Sequence, residues 1–252
     1  MNYLTLPFFK TLLKKKESRI ALVFSLFPML LIVVGLFNTN FMKLSAPDNS
    51  LSFLEFFSAV LSTQYQITLP LIVFIYITST IFRDEITSGI MYLYKDVSKK
   101  VILNAKLSAI LLFQLLYILV TFLSSLITYY VYLIYKPYTS GKFLPNKADD
   151  LHYILVSILG TILVFLLCLM VASFASILLT NGFTILIGIV FALFSFIAPH
   201  LSLLKYLFPN GYVNVLGHLS FSSSLLLLTL LFVFYYTILY AISLRLYNKL
   251  EY

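Results

Sequence analysis

Long apolar stretches separated by short polar ones run through the whole chain. Measured against the roughly 20 apolar residues that cross a hydrocarbon layer of about 30 Å, the pattern predicts six spans. They cover about 20–37, 63–82, 104–134, 152–180, 183–199 and 222–244. The third and fourth are long enough to tilt or protrude; the fifth is short and closes at Pro199. The first exceeds the apolar core of a cleavable signal, about 7–15 residues, and reads as a retained span. Asn38–Ser62 is expected to be a loop, carrying Asp48 and a half-amphipathic piece from Leu51 to Phe57. Thr180-Asn181-Gly182 is expected to be a tight turn, with Gly182 where a positive φ is needed. Residues 200–221 are too apolar for an ordinary loop and are broken by Pro209 and Gly211. They predict a re-entrant or interfacial helical pair, tolerated only where protein buries it.

Residues 1–19 have the pattern of an amphipathic helix. Leu4, Phe8, Phe9, Leu12 and Leu13 share one face, and Lys10, Lys14, Lys15, Lys16 and Arg19 line the other. Such a helix lies in the headgroup layer, drawn to anionic lipid. The same lysines also serve as a topology signal. The fold class is therefore all-α integral membrane, a single transmembrane domain over 1–252 with no separate soluble unit.

Composition agrees. Of 252 residues, 61% are hydrophobic and 10% charged, against about 25% charged in soluble domains. The net charge of +8 matters through its distribution. With the amino terminus inside, the inner segments hold Lys10, Lys14, Lys15, Lys16, Arg19, Arg83, Lys95, Lys99, Lys100, Lys106, Arg245 and Lys249. The outer segments hold Lys43, Lys136, Lys142, Lys147 and Lys205. The imbalance predicts a multi-pass protein of the cell membrane with both termini cytoplasmic. His152, His200 and His218 then face outward. Tyr129, Tyr130, Tyr132, Tyr135 and Tyr138 cluster where the third span ends and read as an interfacial aromatic belt, or else as a binding surface. Cys168, the single cysteine, reads as a small packing residue.

Several chemistries lack their parts. The spans carry no Asp, Glu, Lys or Arg between their ends, which argues against ion-coupled transport. There is no HExxH and no GxxxxGK[ST], so the chain supplies neither that zinc motif nor a P-loop for ATP. The histidines have no metal-ligand spacing. No catalytic residue, metal site or cofactor of the chain's own is expected, and no nucleic acid. Polar residues within the second and third spans, Gln64, Gln66, Gln114, Thr121, Ser124, Ser125 and Thr128, are candidates to line a pathway. Ordinary interhelical hydrogen bonding explains them equally well. Ala172, Ser173, Ala175 and Ser176 mark close helix packing.

The polar segment 82–106, FRDEITSGIMYLYKDVSKKVILNAK, is charge-dense and patterned. It is too short to fold as a domain. It suits a helical knuckle over 83–100 that docks by apolar anchors, Ile90, Met91, Leu93 and Tyr94, and is oriented by Arg83, Asp84, Glu85, Lys95, Lys99 and Lys100. Gly89 lets the chain turn ahead of it. A solvated loop with ordinary positive-inside lysines is the plainer reading.

The run Arg83-Asp84-Glu85, Gly89, Leu93, Val97-Ser98-Lys99 and Lys106, between a second span and a long third, resembles the membrane subunit of type-2 ABC transporters. Asp96 stands where that family often has Pro, and Lys99 where it often has Arg. The resemblance implies a permease subunit forming a pathway as a homodimer or heterodimer. It implies two copies of a separate ATPase, which bind ATP and Mg, and a cytoplasmic coupling helix within 83–100. Small permeases of this kind in Gram-positive bacteria export, or give immunity to, amphipathic and antimicrobial peptides, and the scaffold also serves drugs, lipids and polysaccharides. Two other readings are a non-transporting scaffold or sensor subunit, and an outer-face enzyme using His152, His200 or His218.

Overall fold

The computed structural model describes residues 3–37, 46–217 and 219–250. Lys43 and His218 lie outside these residues, as does the side chain of Tyr94. The protein is all-helical, with no strand among the described residues. The described residues form nine α-helices, in order: α1 Thr5–Lys14, α2 Lys16–Phe24, α3 Leu30–Leu36, α4 Phe53–Gln66, α5 Leu69–Thr87, α6 Lys99–Val131, α7 Ala148–Leu178, α8 Asn181–Ile197 and α9 Phe221–Lys249. Four of them, α6 to α9, are long and apolar enough to cross a membrane; α2 with α3 and α4 with α5 raise the number to six if each bent pair is one span.

Each bend has a local cause. A 3-10 turn at Phe27–Met29, holding Pro28, separates α2 from α3 and turns the axis by 48°. Between α4 and α5, Thr68 takes φ 60° and Pro70 sits in the first turn of α5, giving a 62° bend. A β-branched residue in the left-handed region is under strain. Of the loop expected at Asn38–Ser62, residues 38–45 lie outside the described residues, and the half-amphipathic piece instead opens α4. Ser52 and Glu55 form a reciprocal capping box, with the Ser52 N–H donating to Glu55 Oε2 at 2.6 Å. Such a cap stabilises a helix by about 1 kcal/mol.

α7 is the centre of the bundle and packs against α4, α5, α8 and α9. Its apolar window is 67% buried, whereas that of α9 is 6% buried. A helix apolar all round suits a core position, and an apolar face left open suits lipid. Between α6, α7 and α9 lies an open apolar cleft of about 240 Å³, bordered by Leu107, Leu111, Leu166, Met170, Phe232 and Tyr236. At the far end of α6, Phe53 stacks among Phe122, Tyr129 and Phe143, with ring centroids 5.2, 5.9 and 4.9 Å away. Tyr129, expected in an interfacial belt, is fully buried there and donates to the Leu51 carbonyl at 2.8 Å. Tyr135 is 83% exposed.

Three further expectations change. The helix expected over 1–19 breaks at Lys15, whose backbone is extended, and Ser18 donates across the break to the Leu12 carbonyl. Gly182 has no positive φ; it lies in the first turn of α8, and the chain reverses through extended Leu179 and Thr180 instead. The described residues between 200 and 221 form no pair of α-helices. Ahead of α9 they fold back as turns and a 3-10 segment, Pro209–Val215, that packs on α7. Gly160 admits this contact: a Cβ there would meet the Pro209 carbonyl and the Asn210 backbone at 3.1 Å.

Candidate functional site

The richest polar constellation surrounds Lys106, two turns into α6. Its side chain is fully buried, yet it carries a charge that must be matched. Its ammonium meets Glu85 Oε2 at 2.7 Å and donates to the Ile81 carbonyl at 3.0 Å. Three rings complete the shell: Phe82 at 5.1 Å, Tyr247 at 5.7 Å and Phe8 at 5.8 Å from centroid to Nζ. Aromatic faces attract such a cation. One lysine thus ties α1, α5, α6 and α9 together.

Neighbouring contacts extend the tie. Asn181 donates to Asp84 Oδ1 at 2.9 Å and accepts from the Ser79 hydroxyl at 2.6 Å, joining α8 to α5. Lys15 donates to Thr80 Oγ1 at 2.7 Å, and burial pushes its ammonium below its ordinary value while Asp84, Glu17 and Glu85 oppose the shift. Lys99 donates to the carbonyls of Asn248 and Leu250, satisfying the open end of α9. Tyr240 donates to Asn104 Oδ1 at 2.7 Å. A cavity of about 280 Å³ lies under α1, between Leu12, Lys15, Thr80, Asp84, Glu85 and Ile90.

Next to this cluster, α5 runs on to Thr87 and Gly89 turns the chain at φ 71°. The knuckle that follows is a single 3-10 segment, Ile90–Tyr94. Leu93 is 78% exposed and Tyr92 58%; Ile90 is also exposed. Met91 points the other way and is buried, so it anchors the knuckle to the bundle rather than to a partner. Arg83, Asp84, Lys95, Asp96 and Lys100 reach the surface, whereas Glu85 turns inward to Lys106 and Lys99 inward to α9. The orienting charges expected from the sequence therefore fall into two sets, one facing out and one holding the bundle.

The amphipathic face of α1 is used against protein. Phe8 and Leu12 enter the main core beside α6, and Phe9 and Leu13 pack on its rim. Lys10, Lys14 and Lys16 are exposed.

The polar span residues are dispersed. Gln64 donates to the Phe24 carbonyl at 3.1 Å and Gln114 to the Ile162 carbonyl at 3.3 Å. Ser125 and Thr128 bond back to the Thr121 and Ser124 carbonyls of their own helix, and Ser124 also reaches the Ser25 carbonyl at 2.7 Å. These residues and Thr121 are buried within one chain; Gln66 alone of the set is exposed. Ala172, Ser173, Ala175 and Ser176 are buried packing residues, as is Cys168. His152 stacks on Phe221 at 4.2 Å, and His200 lies beside Phe196. No group of metal-ligating side chains occurs among the described residues.

The sequence reading overlooked Asn181, placed in a turn for its backbone rather than its carboxamide. It also overlooked the burial of Lys106. The signal available was a lone lysine with apolar neighbours on both sides, in the same inter-span segment as an acidic pair. Neither a protein-family model, nor a curated protein, nor a solved structure matches the chain.

Proposed function

We propose that this chain is the membrane-spanning permease subunit of an ATP-driven exporter of the type-2 ABC kind, resident in the cell membrane with both termini cytoplasmic. Two permease subunits form the pathway, and two copies of a separate ATPase bind ATP and Mg on the inner face. The cargo class is an amphipathic peptide, exported or cleared for self-protection. The observation that carries this reading is the pairing of an exposed apolar knuckle with a buried ionic tie at one end of the bundle. Ile90, Tyr92 and Leu93 offer a partner a compact apolar anchor of the sort that dominates binding energy. The knuckle follows Glu85 on the same chain segment, and Glu85 grips Lys106. A push on the knuckle therefore bears directly on α5 and, through Lys106, on α1, α6 and α9.

Co-purification with a nucleotide-binding subunit, followed by ATP hydrolysis in proteoliposomes, tests this. Leu93→Asp removes an anchor that is 78% exposed and leaves the core intact. A central apolar anchor contributes about 2 kcal/mol or more, so the complex weakens roughly thirtyfold. Lys142→Glu, at the other end of the bundle, leaves it unchanged. Full ATPase binding and peptide-stimulated hydrolysis by the Leu93→Asp protein would refute the coupling role.

A further inference from the structure

A second pocket lies at the opposite end of the bundle from Lys106. α8 begins at Asn181, level with Asp84 and Ser79, and climbs about 24 Å to Ile197 at 1.5 Å per residue. Past its end, the turn at Ala198–His200, the segment Pro209–Val215, α4 and α7 border an open, half-polar recess of about 140 Å³. That depth is where lipid headgroups meet a hydrocarbon layer of about 30 Å.

The recess has a definite chemistry. No Asp, Glu, Lys or Arg lines it. Its walls carry three carboxamides, Gln66, Asn210 and Asn214, with the hydroxyl of Thr161 and the rings of Phe196 and His200. Each asparagine already spends one N–H on the fold: Asn210 Nδ2 donates to the Ser195 carbonyl at 2.9 Å and Asn214 Nδ2 to the Pro199 carbonyl at 3.3 Å. These bonds fix each amide and leave its oxygen and its second N–H for other partners. Asn210 Oδ1 is buried and has no partner. A buried acceptor left so costs about 1–3 kcal/mol, and a ligand that brings a donor recovers it.

We infer that this recess binds the uncharged, hydroxylated ring of a sugar, either the head of a glycolipid or a free glycoside. The volume matches one six-membered ring, since a cavity of about 150 Å³ accepts a benzene. A hydroxyl donates or accepts as its neighbour requires, so one ring satisfies the asparagine oxygens and still accepts from Gln66. A peptide offers an N–H and a C=O fixed in opposite directions, whereas each hydroxyl of a sugar turns to meet an oxygen or an N–H. A phosphate brings only acceptors and charge, with no cation here to meet it. The rings of Phe196 and His200 offer an apolar platform for the C–H face of the sugar. The assignment stands independently of how the chain is powered.

The test uses the full chain in phosphatidylcholine nanodiscs doped with glucosyl-diacylglycerol or with phosphatidylserine of the same acyl chains. Native mass spectrometry of the released protein reads the lipid retained. Methyl glucoside and a blocked tripeptide amide are added as soluble competitors. Glucosyl-diacylglycerol is expected to be retained over phosphatidylserine. Gln66→Leu and Thr161→Val, neither of which breaks a described hydrogen bond, each lower that retention by about three- to tenfold, the effect of one hydrogen bond. Ser108→Ala, in the cleft between α6 and α9, leaves it unchanged. Displacement by methyl glucoside identifies the ring alone as sufficient; retention without displacement identifies the glycolipid as the source. Equal or greater retention of phosphatidylserine, displacement by the peptide amide, or indifference to both substitutions overturns the assignment.

Discussion

Removing Glu85 should damage this protein more than removing Lys106, although each substitution breaks the same 2.7 Å contact. The asymmetry comes from burial. Lys106 is 0% exposed and Glu85 is 19% exposed. In Glu85→Ala the ammonium stays among Phe8, Phe82 and Tyr247 with one carbonyl for company. Rings and a carbonyl do not neutralise it, and an uncompensated buried charge costs about 3–5 kcal/mol. In Lys106→Met the alkyl stem is kept, and the carboxylate left behind turns to water; the loss is about 1 kcal/mol. The double variant Glu85→Ala/Lys106→Met removes both charges and recovers most of the stability, a non-additivity of about 2 kcal/mol or more. Heating each detergent-solubilised protein and measuring the monodisperse fraction by size-exclusion chromatography gives the order. At roughly 2–4 °C per kcal/mol for a chain of this size, Glu85→Ala melts about 10 °C below the parent. The reasoning is refuted if Lys106→Met is the worse single variant, or if the two losses simply add.

Thr68→Gly relieves a β-branched residue at φ 60° and raises thermal stability by about 1 kcal/mol; a lower melting point would count against strain at the bend. Gly89→Ala meets no atom within 4 Å, so its cost is purely the φ of 71°, about 1 kcal/mol. A Gly89→Asn protein, better suited to that region, should recover part of the loss in the same melting assay. Lys15 gives a pH test. Burial lowers its folded-state value, so the unfolded chain holds that proton more tightly. The melting temperature of the parent relative to Lys15→Met therefore rises as pH climbs toward the ordinary lysine value of 10.5; a difference flat across that range would refute it.

Apolar run length was enough to place α6 to α9, because crossing a hydrocarbon layer imposes one length and one composition. The first two spans were misjudged at their breaks. Pro28 sits inside an apolar run that length alone reads as continuous, and the capping pair Ser52–Glu55 sits in a stretch whose Asp48, Asn49 and Ser50 read as loop. At the candidate site, Gly89 was legible because only its backbone mattered. The split between outward and inward charges was not. Arg83, Asp84 and Glu85 are consecutive, and the side each takes depends on where α6, α8 and α9 come to rest. Lys99 illustrates the same limit: its partners, Asn248 and Leu250, lie at the other end of the chain.

The attachment of α9 has a mechanical consequence. Its last turn is pegged by Lys99, its C-terminal half by the bond from Tyr240 to Asn104, and its first turns are seated by Leu228 against Val156, Leu163 and Tyr212. Between these two supports one face packs through Leu231, Phe232, Tyr236 and Leu239, and Tyr235 donates to the Leu207 carbonyl at 3.1 Å, while the other face is bare. A rod held along its whole side moves with the bundle and does not swing like a gate. The width of the cleft between it and α6 is therefore set by how it lies on α7.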